Sequence, residues 1–439
     1  MRTMPLAAGL VLIFASSGPL MAQDRDTKVR ADRSQFGSGA GWIYNNLDEG
    51  IRAARAANKP MLVIFRCIPC EACQEFDDDV ARRDPIIRDM LDEFVCVRIV
   101  QANVMDLTHF QFDFDLSFAA FLMNADYTIY GRFATRSERP EADDISLEGM
   151  RKAMAAALEI HKNLDKVKNS LAGKQVTQTR FHTPSDLPPL KGKYQATLDY
   201  SGAVARSCMH CHQIRDAERT FYRASGEPLP DTVLYPYPDP SVLGLSMDPQ
   251  EMATVKRVAP GSSAEQDGAR PGDAIRALAG QPMLSTADIQ WVLQNAPESG
   301  KLPAKIVRDG KPLELSITLK PGWRHGDISW RTTTWNLRRM GLGGMRLDSL
   351  SASDRSEAAL PADSMALRAR HVGEFGDHAI AKRAGLARGD VIISFDGHTE
   401  PMTESALLAY ALQQKRAGDV VDVVVLRDGK KLNFRFAIQ

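Results

Sequence analysis

The sequence predicts a multidomain chain whose first part is α/β and whose last part is β-rich. Its 439 residues correspond to about three domains as a starting estimate. Short apolar runs alternate with helical spacing over residues 40–172, which indicates strands buried in a mixed sheet. Residues 241–439 contain one pattern twice, which indicates a duplicated module. An apolar content of 44% is typical of domains with real cores.

The N-terminus predicts export. Arg2 precedes an apolar run over residues 6–14 and then small residues, which is the order found in a secretory signal peptide. We place the signal peptide at residues 1–22 and expect a periplasmic or otherwise extracytoplasmic protein with no membrane span after cleavage; the alternative is an uncleaved anchor. Basic and acidic residues number 55 each, so the net charge gives no reason to expect a nucleic acid partner.

Residues 40–172 read as one α/β domain. Apolar runs predict four strands, and helical spacing predicts one helix before the first strand, one after it and one at the end of the domain. The predicted strands cover residues 61–65, 94–100, 118–123 and 128–133, and the helices cover residues 48–57, about 74–94 and 145–167. Between the first strand and the second helix lies a turn with three cysteines, Cys67, Cys70 and Cys73.

The run Lys59-Pro-Met-Leu-Val-Ile-Phe65, followed by C-x-x-C and a helix, resembles the thioredoxin-like domains of bacterial secreted proteins. The resemblance implies that Cys70 is the attacking thiol and Cys73 the resolving thiol. A helix N-terminus at Cys70 would favour its thiolate. Cys67 precedes the pair at the same spacing, so a Cys67–Cys70 disulfide is an equal alternative. Soft metal binding by all three thiols is another.

Two features depart from this family. An acidic run of five residues opposes thiolate formation, and Arg66 offsets it in part; the run comprises Glu71, Glu75, Asp77, Asp78 and Asp79. The family also carries a cis-proline that faces the cysteines, whereas no proline occurs near Ser117-Phe118. The usual substrate groove is therefore in question. Cys96 lies within a predicted strand and is expected to be a buried apolar filler.

A polar linker is predicted at residues 173–193, followed by a segment at residues 194–240 that contains Cys208-Met-His-Cys211-His212. C-x-x-C-H is the attachment signal for a c-type haem. Both thiols would add to the porphyrin, and His212 would be the proximal ligand of the haem iron. We expect one covalent haem c in a short helical segment, with Met209 and His210 pointing away from the iron; the spacing does not identify a distal ligand. A chance match or half of a zinc site is the alternative.

The repeats, residues 258–275 and 379–392, are each followed by a glycine turn, a helix, the letters RDGK and a final strand. This pattern resembles bacterial PDZ domains, here at residues 241–322 and 335–439. Such domains bind an extended peptide at a sheet edge and its carboxylate at a loop. The resemblance places that loop at Leu243, Gly244 and Leu245 in the first copy, and at Gly341, Leu342, Gly343 and Gly344 in the second. The alternative is that a copy only packs against the chain, which we favour more for the first.

PDZ modules in exported bacterial proteins usually accompany a serine protease, but the chain has no nucleophile elbow and has cysteines in place of a His/Asp/Ser set. It resembles instead a bacterial exported family, some members of which contain selenocysteine, that joins a thioredoxin-like domain to PDZ modules. The resemblance implies a thiol-disulfide oxidoreductase with a haem for electron transfer. Its partners would be an exported protein bound by its C-terminus or an extended peptide, and a redox thiol/disulfide protein or a cytochrome. The alternatives are a haem-bearing adaptor with a structural thioredoxin-like domain, and a copper-handling thiol protein.

Overall fold

The computed structural model describes residues 17–38, 40–69, 74–134, 144–175 and 179–439. Most of the predicted signal peptide, residues 1–22, therefore lies outside the described residues, as do Cys70 and Cys73. Among the helices of the described part, none combines the length and the apolarity that a bilayer span requires.

The first domain is built on a five-stranded sheet with the order β1-β3-β2-β4-β5. Strands β1, β3 and β2 are parallel, and β4 and β5 are antiparallel to their neighbours. All residues of β2 and β4 are buried, as the continuous apolar runs predict for strands covered on both faces. The strands are β1 (Ile43–Tyr44), β2 (Met61–Arg66), β3 (Val95–Ile99), β4 (Phe118–Met123) and β5 (Ile129–Ala134).

The helices of this domain begin and end at residues that local chemistry explains. The helix over residues 47–57 begins where Asn46 accepts a hydrogen bond from the backbone of Glu49, and it ends at Asn58 in the left-handed conformation. The helix predicted up to Phe94 is divided in two around Pro85, which has no N–H to donate. The helices are α1 (Ser17–Phe36), α2 (Leu47–Ala57), α3 (Gln74–Ala81), α4 (Arg88–Asp92), α5 (Leu147–Lys162) and α6 (Leu164–Leu171).

Helix α1 contains part of the predicted signal peptide and most of the polar stretch that follows. Its described side chains pack on the domain: Val29 and Phe36 are buried, and Asp32 is ion-paired with Arg98 of β3 at 2.8 Å. A buried strand arginine therefore holds this helix in place.

The predicted linker and haem segment pack against the first domain. Leu187, which lies between two 3₁₀ turns, and Leu190, which ends the second, belong to the same apolar cluster as Phe65 and Met209. The predicted linker is therefore anchored by apolar contacts. The helices of the segment are α7 (Val204–Ser207), α8 (Cys211–Ser225) and α9 (Asp231–Leu234).

Each of the last two domains has its own sheet and core. The first has a four-stranded sheet, β11-β10-β8-β9, beside a two-stranded one, and the second has a five-stranded sheet that runs from β12 to β16 in order. The first contains β6 (Leu245–Met247), β7 (Val255–Val258), α10 (Ser263–Gln266), β8 (Ala274–Leu278), β9 (Gln281–Pro282), α11 (Thr286–Gln294), β10 (Gly300–Arg308) and β11 (Lys311–Leu319). The second contains α12 (Thr334–Leu342), β12 (Met345–Ser349), α13 (Ala352–Glu357), β13 (Leu367–Val372), α14 (Ile380–Arg383), β14 (Val391–Phe395), α15 (Glu404–Gln413), β15 (Val420–Arg427) and β16 (Lys430–Ala437).

Buried charges join these parts of the chain. Asp288 of α11 accepts a hydrogen bond from the backbone N–H of Arg132 in β5 and lies 3.0 Å from the ammonium of Lys174. Arg331, which precedes the last domain, pairs with Asp113 and Asp115 of the first domain. Since buried charges require partners, these contacts fix how the domains meet.

Candidate functional site

Cys67 lies directly after β2, at the carboxyl end of the central strand. Its side chain is 9% exposed, and its sulfur is part of a disulfide. Its backbone N–H donates to the carbonyl of Ser117 at 3.2 Å, so Ser117, near which the resemblance implies a cis-proline, lies beside the cysteine turn. The Arg66 guanidinium donates to the carbonyls of Cys67 and Ser117 at 2.5 and 3.3 Å. These contacts hold the first residue of the cysteine turn against the start of β4.

The contact that sequence reasoning missed joins Cys67 to His210. The Nδ1 atom of His210 lies 3.0 Å from the Sγ atom of Cys67. Because a disulfide sulfur carries no proton, Nδ1–H is the donor. Burial, and then the nearby His212 and Arg25, lower the pKa of His210 to about 4, so this imidazole is neutral at physiological pH. The expectation that His210 would not serve as a haem ligand did not anticipate this contact with Cys67.

The acidic run beside the cysteine turn is partly neutralised by buried arginines. Asp77 accepts two hydrogen bonds of 2.7 Å from Arg98 and lies 3.1 Å from Nε of Arg66. Burial alone would lower the pKa of Arg98, but the hydrogen bonds and charges of Asp77 and Asp32 raise it. An arginine within the apolar strand Val95–Ile99 is the signal that such a buried pair exists.

The C-x-x-C-H segment packs against the same end of the sheet as the cysteine turn. The side chain of Asn103 donates to the carbonyls of Gln195 and Ser207 at 2.7 and 2.8 Å, and its Oδ1 accepts from the N–H of Met209 at 2.7 Å. The N–H of Ala102 donates to the carbonyl of Met209 at 3.0 Å. Met209 is buried in the core of the first domain, so the segment completes that domain.

Both cysteines of the motif are free thiols. Cys208 is 3% exposed, and its Sγ donates to the carbonyl of Val100 at 3.1 Å. Cys211 is the first residue of α8. Burial raises the pKa of each thiol to about 12, and the neighbouring Cys208 adds to the effect on Cys211. Both are therefore protonated at neutral pH.

The residues around the motif do not fit a porphyrin in this conformation. Cys208 is enclosed by Val29, Val100, Leu198 and Val204. The cavity that Cys211 lines has a volume of about 10 Å³, far below the roughly 300–1,000 Å³ of pockets for drug-sized ligands. The ring of half-buried His212 stacks on that of His210, with centroids 5.4 Å apart. The predicted haem attachment would require the segment to leave its place on the sheet.

The predicted roles of Cys70 and Cys73 lie outside the described residues. Cys96 is buried in β3, as expected for a filler, and burial raises the pKa of its thiol to about 12. Within the described part of the chain, no three His, Cys, Asp or Glu side chains are grouped in a way that could hold a metal ion.

The predicted peptide loop of the first repeat borders an open cleft. Leu243 ends a 3₁₀ turn, Gly244 is in the left-handed conformation at φ 89°, and Leu245 begins β6, whose only partner among the described strands is β7. The other edge of β6 is free among the described strands, and residues of β6 and β7 line a cavity of about 370 Å³. It is lined by Ser241, Leu245, Ser246, Met247, Lys256 and Thr286, among other residues. An extended peptide could pair with this edge.

In the second repeat, a side chain of the same domain occupies the equivalent strand edge. Gly341 and Leu342 belong to the last turn of helix α12, and Gly343 and Gly344 form its end. The N–H of Leu347 in β12 donates to Oε1 of Glu404 at 2.7 Å, and Arg338 binds both oxygens of the same carboxylate at 3.0 and 2.7 Å. The packing role that we favour more for the first copy stays a prediction; in the structure a cavity adjoins β6 of the first copy, whereas Glu404 occupies the equivalent strand edge in the second.

Comparisons with known families agree with the domain assignment. A thioredoxin-like family model matches residues 42–125, and PDZ domain models match residues 254–308 and 377–438. These matches confirm the thioredoxin-like domain and the two PDZ domains.

Similarity to individual proteins covers only parts of the chain. The periplasmic pH-dependent serine endoprotease DegQ of Escherichia coli K12 is 35% identical over 74 residues, 17% of this chain and 16% of that protein. A probable periplasmic serine endoprotease DegP-like of Marinomonas sp. MWYL1 is 26% identical over 192 residues, 44% of this chain and 38% of that protein. A solved structure of the HtrA-type protease AlgW with a decapeptide is 16% identical, with a TM-score of 0.21, over 31% of this chain and 48% of that one. The chain spans less than half the length of these curated relatives.

Proposed function

We propose that this chain is an exported thiol-disulfide exchange protein that selects its partner through a PDZ domain. The observation that carries the proposal is the hydrogen bond between the disulfide-bonded sulfur of Cys67 and His210, at the carboxyl end of the central strand. A neutral donor on a disulfide sulfur stabilises the thiolate that forms when the bond opens. Cys67 is therefore suited to leave as a thiolate during exchange.

The predicted roles of Cys70 and Cys73 as attacking and resolving thiols remain part of this proposal. The buried Arg66 and Arg98 support it, because they compensate the charge of Asp77 beside the cysteine turn. Less negative charge then opposes formation of a thiolate in this turn.

Export and partner binding complete the proposal. The predicted signal peptide and the periplasmic location in the names of the relatives support an extracytoplasmic site, where disulfides persist. The open cleft along β6 supports binding of an extended peptide of an exported protein by the first PDZ domain. We propose no serine protease activity.

The direct test is reduction of insulin disulfides by dithiothreitol in the presence of the full chain. We expect the wild type to accelerate the reaction. Among the variants Cys67→Ser, Cys70→Ser and Cys73→Ser, the two that remove a cysteine of the exchanging pair should lower the rate at least tenfold. The variant Cys96→Ala is the matched control because this thiol is buried in the sheet. Equal rates in all variants would instead identify the domain as a scaffold.

Covalent haem at Cys208, Cys211 and His212 is a second candidate, which the C-x-x-C-H motif favours. When bound, a haem would supply one-electron transfer. The packing of Cys208 argues against it in the folded chain. A pyridine haemochrome spectrum and an intact mass, measured on protein from a host competent in cytochrome maturation, decide between modified and free thiols. Metal analysis of the Cys208→Ser variant then tests the copper alternative separately.

A further inference from the structure

Two cysteines that are far apart in the sequence line one small cavity. Cys67 comes from the turn after β2, and Cys211 comes from the start of α8. Both line the same cavity, together with Met209 and His210. Val100, whose carbonyl receives the thiol of Cys208, lines it as well. The C-x-x-C pair is thus placed beside a disulfide.

The surroundings of the pair restrict its contact with solvent. Cys208 and Cys211 are free thiols, spaced as in C-x-x-C redox motifs. Cys208 is sealed by α1 and by the residues around Val204, and Asn103 ties the backbone on both sides of it to the sheet. A reagent in solution therefore has poor access to Cys208, whereas the disulfide of Cys67 lies at the same end of the sheet as this thiol.

We infer that Cys208 and Cys211 form a second redox pair, which exchanges electrons with the disulfide of Cys67. This inference deepens the proposed thiol-disulfide function and rests on it. In the reducing direction, the Cys211 sulfur attacks the Cys67 sulfur, the disulfide of Cys67 breaks, and a Cys211–Cys67 bond forms. Cys208 then attacks Cys211, a Cys208–Cys211 bond forms, and Cys67 leaves.

The exchange balances without another reactant. Two thiols become one disulfide and one disulfide becomes two thiols, so two electrons move and the two protons released at Cys208 and Cys211 end on the two sulfurs of the opened disulfide. The hydrogen bond from His210 lies on the Cys67 sulfur, where negative charge develops when Cys67 leaves in the second step. His210 therefore acts as a positioning residue for this transfer.

The test follows the disulfides of the full chain by mass spectrometry. Protein made without cytochrome maturation factors is fully reduced, exposed to oxidised glutathione, quenched with acid at intervals, alkylated in denaturant and digested. In the wild type we expect the Cys67 disulfide to form first and the Cys208–Cys211 disulfide to follow at its expense. In Cys67→Ser the Cys208–Cys211 disulfide should form at least tenfold more slowly, whereas Cys96→Ala should behave as the wild type.

The outcomes separate this inference from the proposed function. If insulin reduction is normal but Cys208 and Cys211 are always recovered as thiols, the relay is wrong and the proposed function stands. The relay is also wrong if Cys67→Ser forms the Cys208–Cys211 disulfide at the wild-type rate, or if both thiols carry a covalent porphyrin in a maturation-competent host. If insulin reduction fails and the two disulfides still interconvert, the chemistry is internal and the proposed partner reaction is wrong.

Discussion

The N–H of Leu347 is bound by the carboxylate of Glu404 at 2.7 Å, and this contact distinguishes the two PDZ domains. Glu404 is the first residue of α15, directly after the capping residue Thr403. The same place in the first repeat, after the capping residue Ser285, is Thr286, which borders the open cavity. The shorter side chain leaves the edge of β6 free.

We therefore expect Thr286→Glu to close the first cleft. A glutamate there can reach the strand edge as Glu404 does, and it should raise the Kd for carboxyl-terminal peptides at least tenfold. The measurement is fluorescence anisotropy with peptides selected on the wild type from a random carboxyl-terminal library. Thr286→Ser is the matched control. An unchanged Kd in Thr286→Glu would show that peptides bind elsewhere.

The pairing of Arg331 with Asp113 and Asp115 predicts a large stability effect. All three side chains are buried, so Arg331→Met removes the cation that pairs directly with both carboxylates and leaves only the more distant charges of Arg215 and Arg219. Breaking one partner of a buried pair costs about 3–5 kcal/mol. Denaturant unfolding should show this loss, whereas Arg435→Met, which removes an exposed pair with Asp422, should cost less than about 1 kcal/mol. Similar losses in both would contradict the assigned role of Arg331.

Asp216 of α8 predicts a pH dependence of stability. Burial, to which the nearby Asp115 adds, raises the pKa of Asp216 to about 7, against about 3.9 in an unfolded chain. The folded state therefore binds this proton more tightly than the unfolded state does. The contribution of this proton to the free energy of unfolding is complete below about pH 4 and is lost as the pH rises through 7.

Asp216→Asn removes this loss. Relative to wild type, we expect the variant to gain about 4 kcal/mol in the free energy of unfolding between pH 4 and pH 8, at about 1.36 kcal/mol per pKa unit. Denaturant titrations at both pH values measure the difference, with the exposed Asp363→Asn as control. A difference between Asp216→Asn and wild type that is the same at both pH values would contradict the raised pKa.

Local patterns predicted most of the fold, because each apolar run or glycine turn reports its own surroundings. Strand β2 and the repeated PDZ pattern are examples, and the matched families confirm both domain types. The helix breaks at Pro85 and Asn163 depend on single residues, whereas hydrophobic periodicity is averaged over several turns of a helix. The contact of His210 with Cys67 spans 143 residues, and no periodicity carries information over that distance. Arg98 within an apolar strand was the readable sign of a buried network.

Asn103 provides the last prediction, because it makes three hydrogen bonds that hold the C-x-x-C-H segment on the sheet. Asn103→Ala leaves the N–H of Met209 and two carbonyls without this partner, and each such loss costs about 1–3 kcal/mol where the group stays buried. The segment should therefore open more often and expose Cys208.

We expect N-ethylmaleimide to modify Cys208 at least tenfold faster in Asn103→Ala than in the wild type, as measured by peptide mass spectrometry. Gln101→Ala is the matched control, because Gln101 donates a single 3.3 Å hydrogen bond to Ala196. Since this bond is exposed, we expect it to contribute about 0.5 kcal/mol, the low end of the range for one bond, and the rate should stay within about threefold. If Cys208 reacts equally fast in both variants, Asn103 does not restrain the segment. Faster labelling of Cys208 with unchanged labelling of Cys96 would localise the opening to the segment, since Cys96 is released only when the sheet itself unfolds.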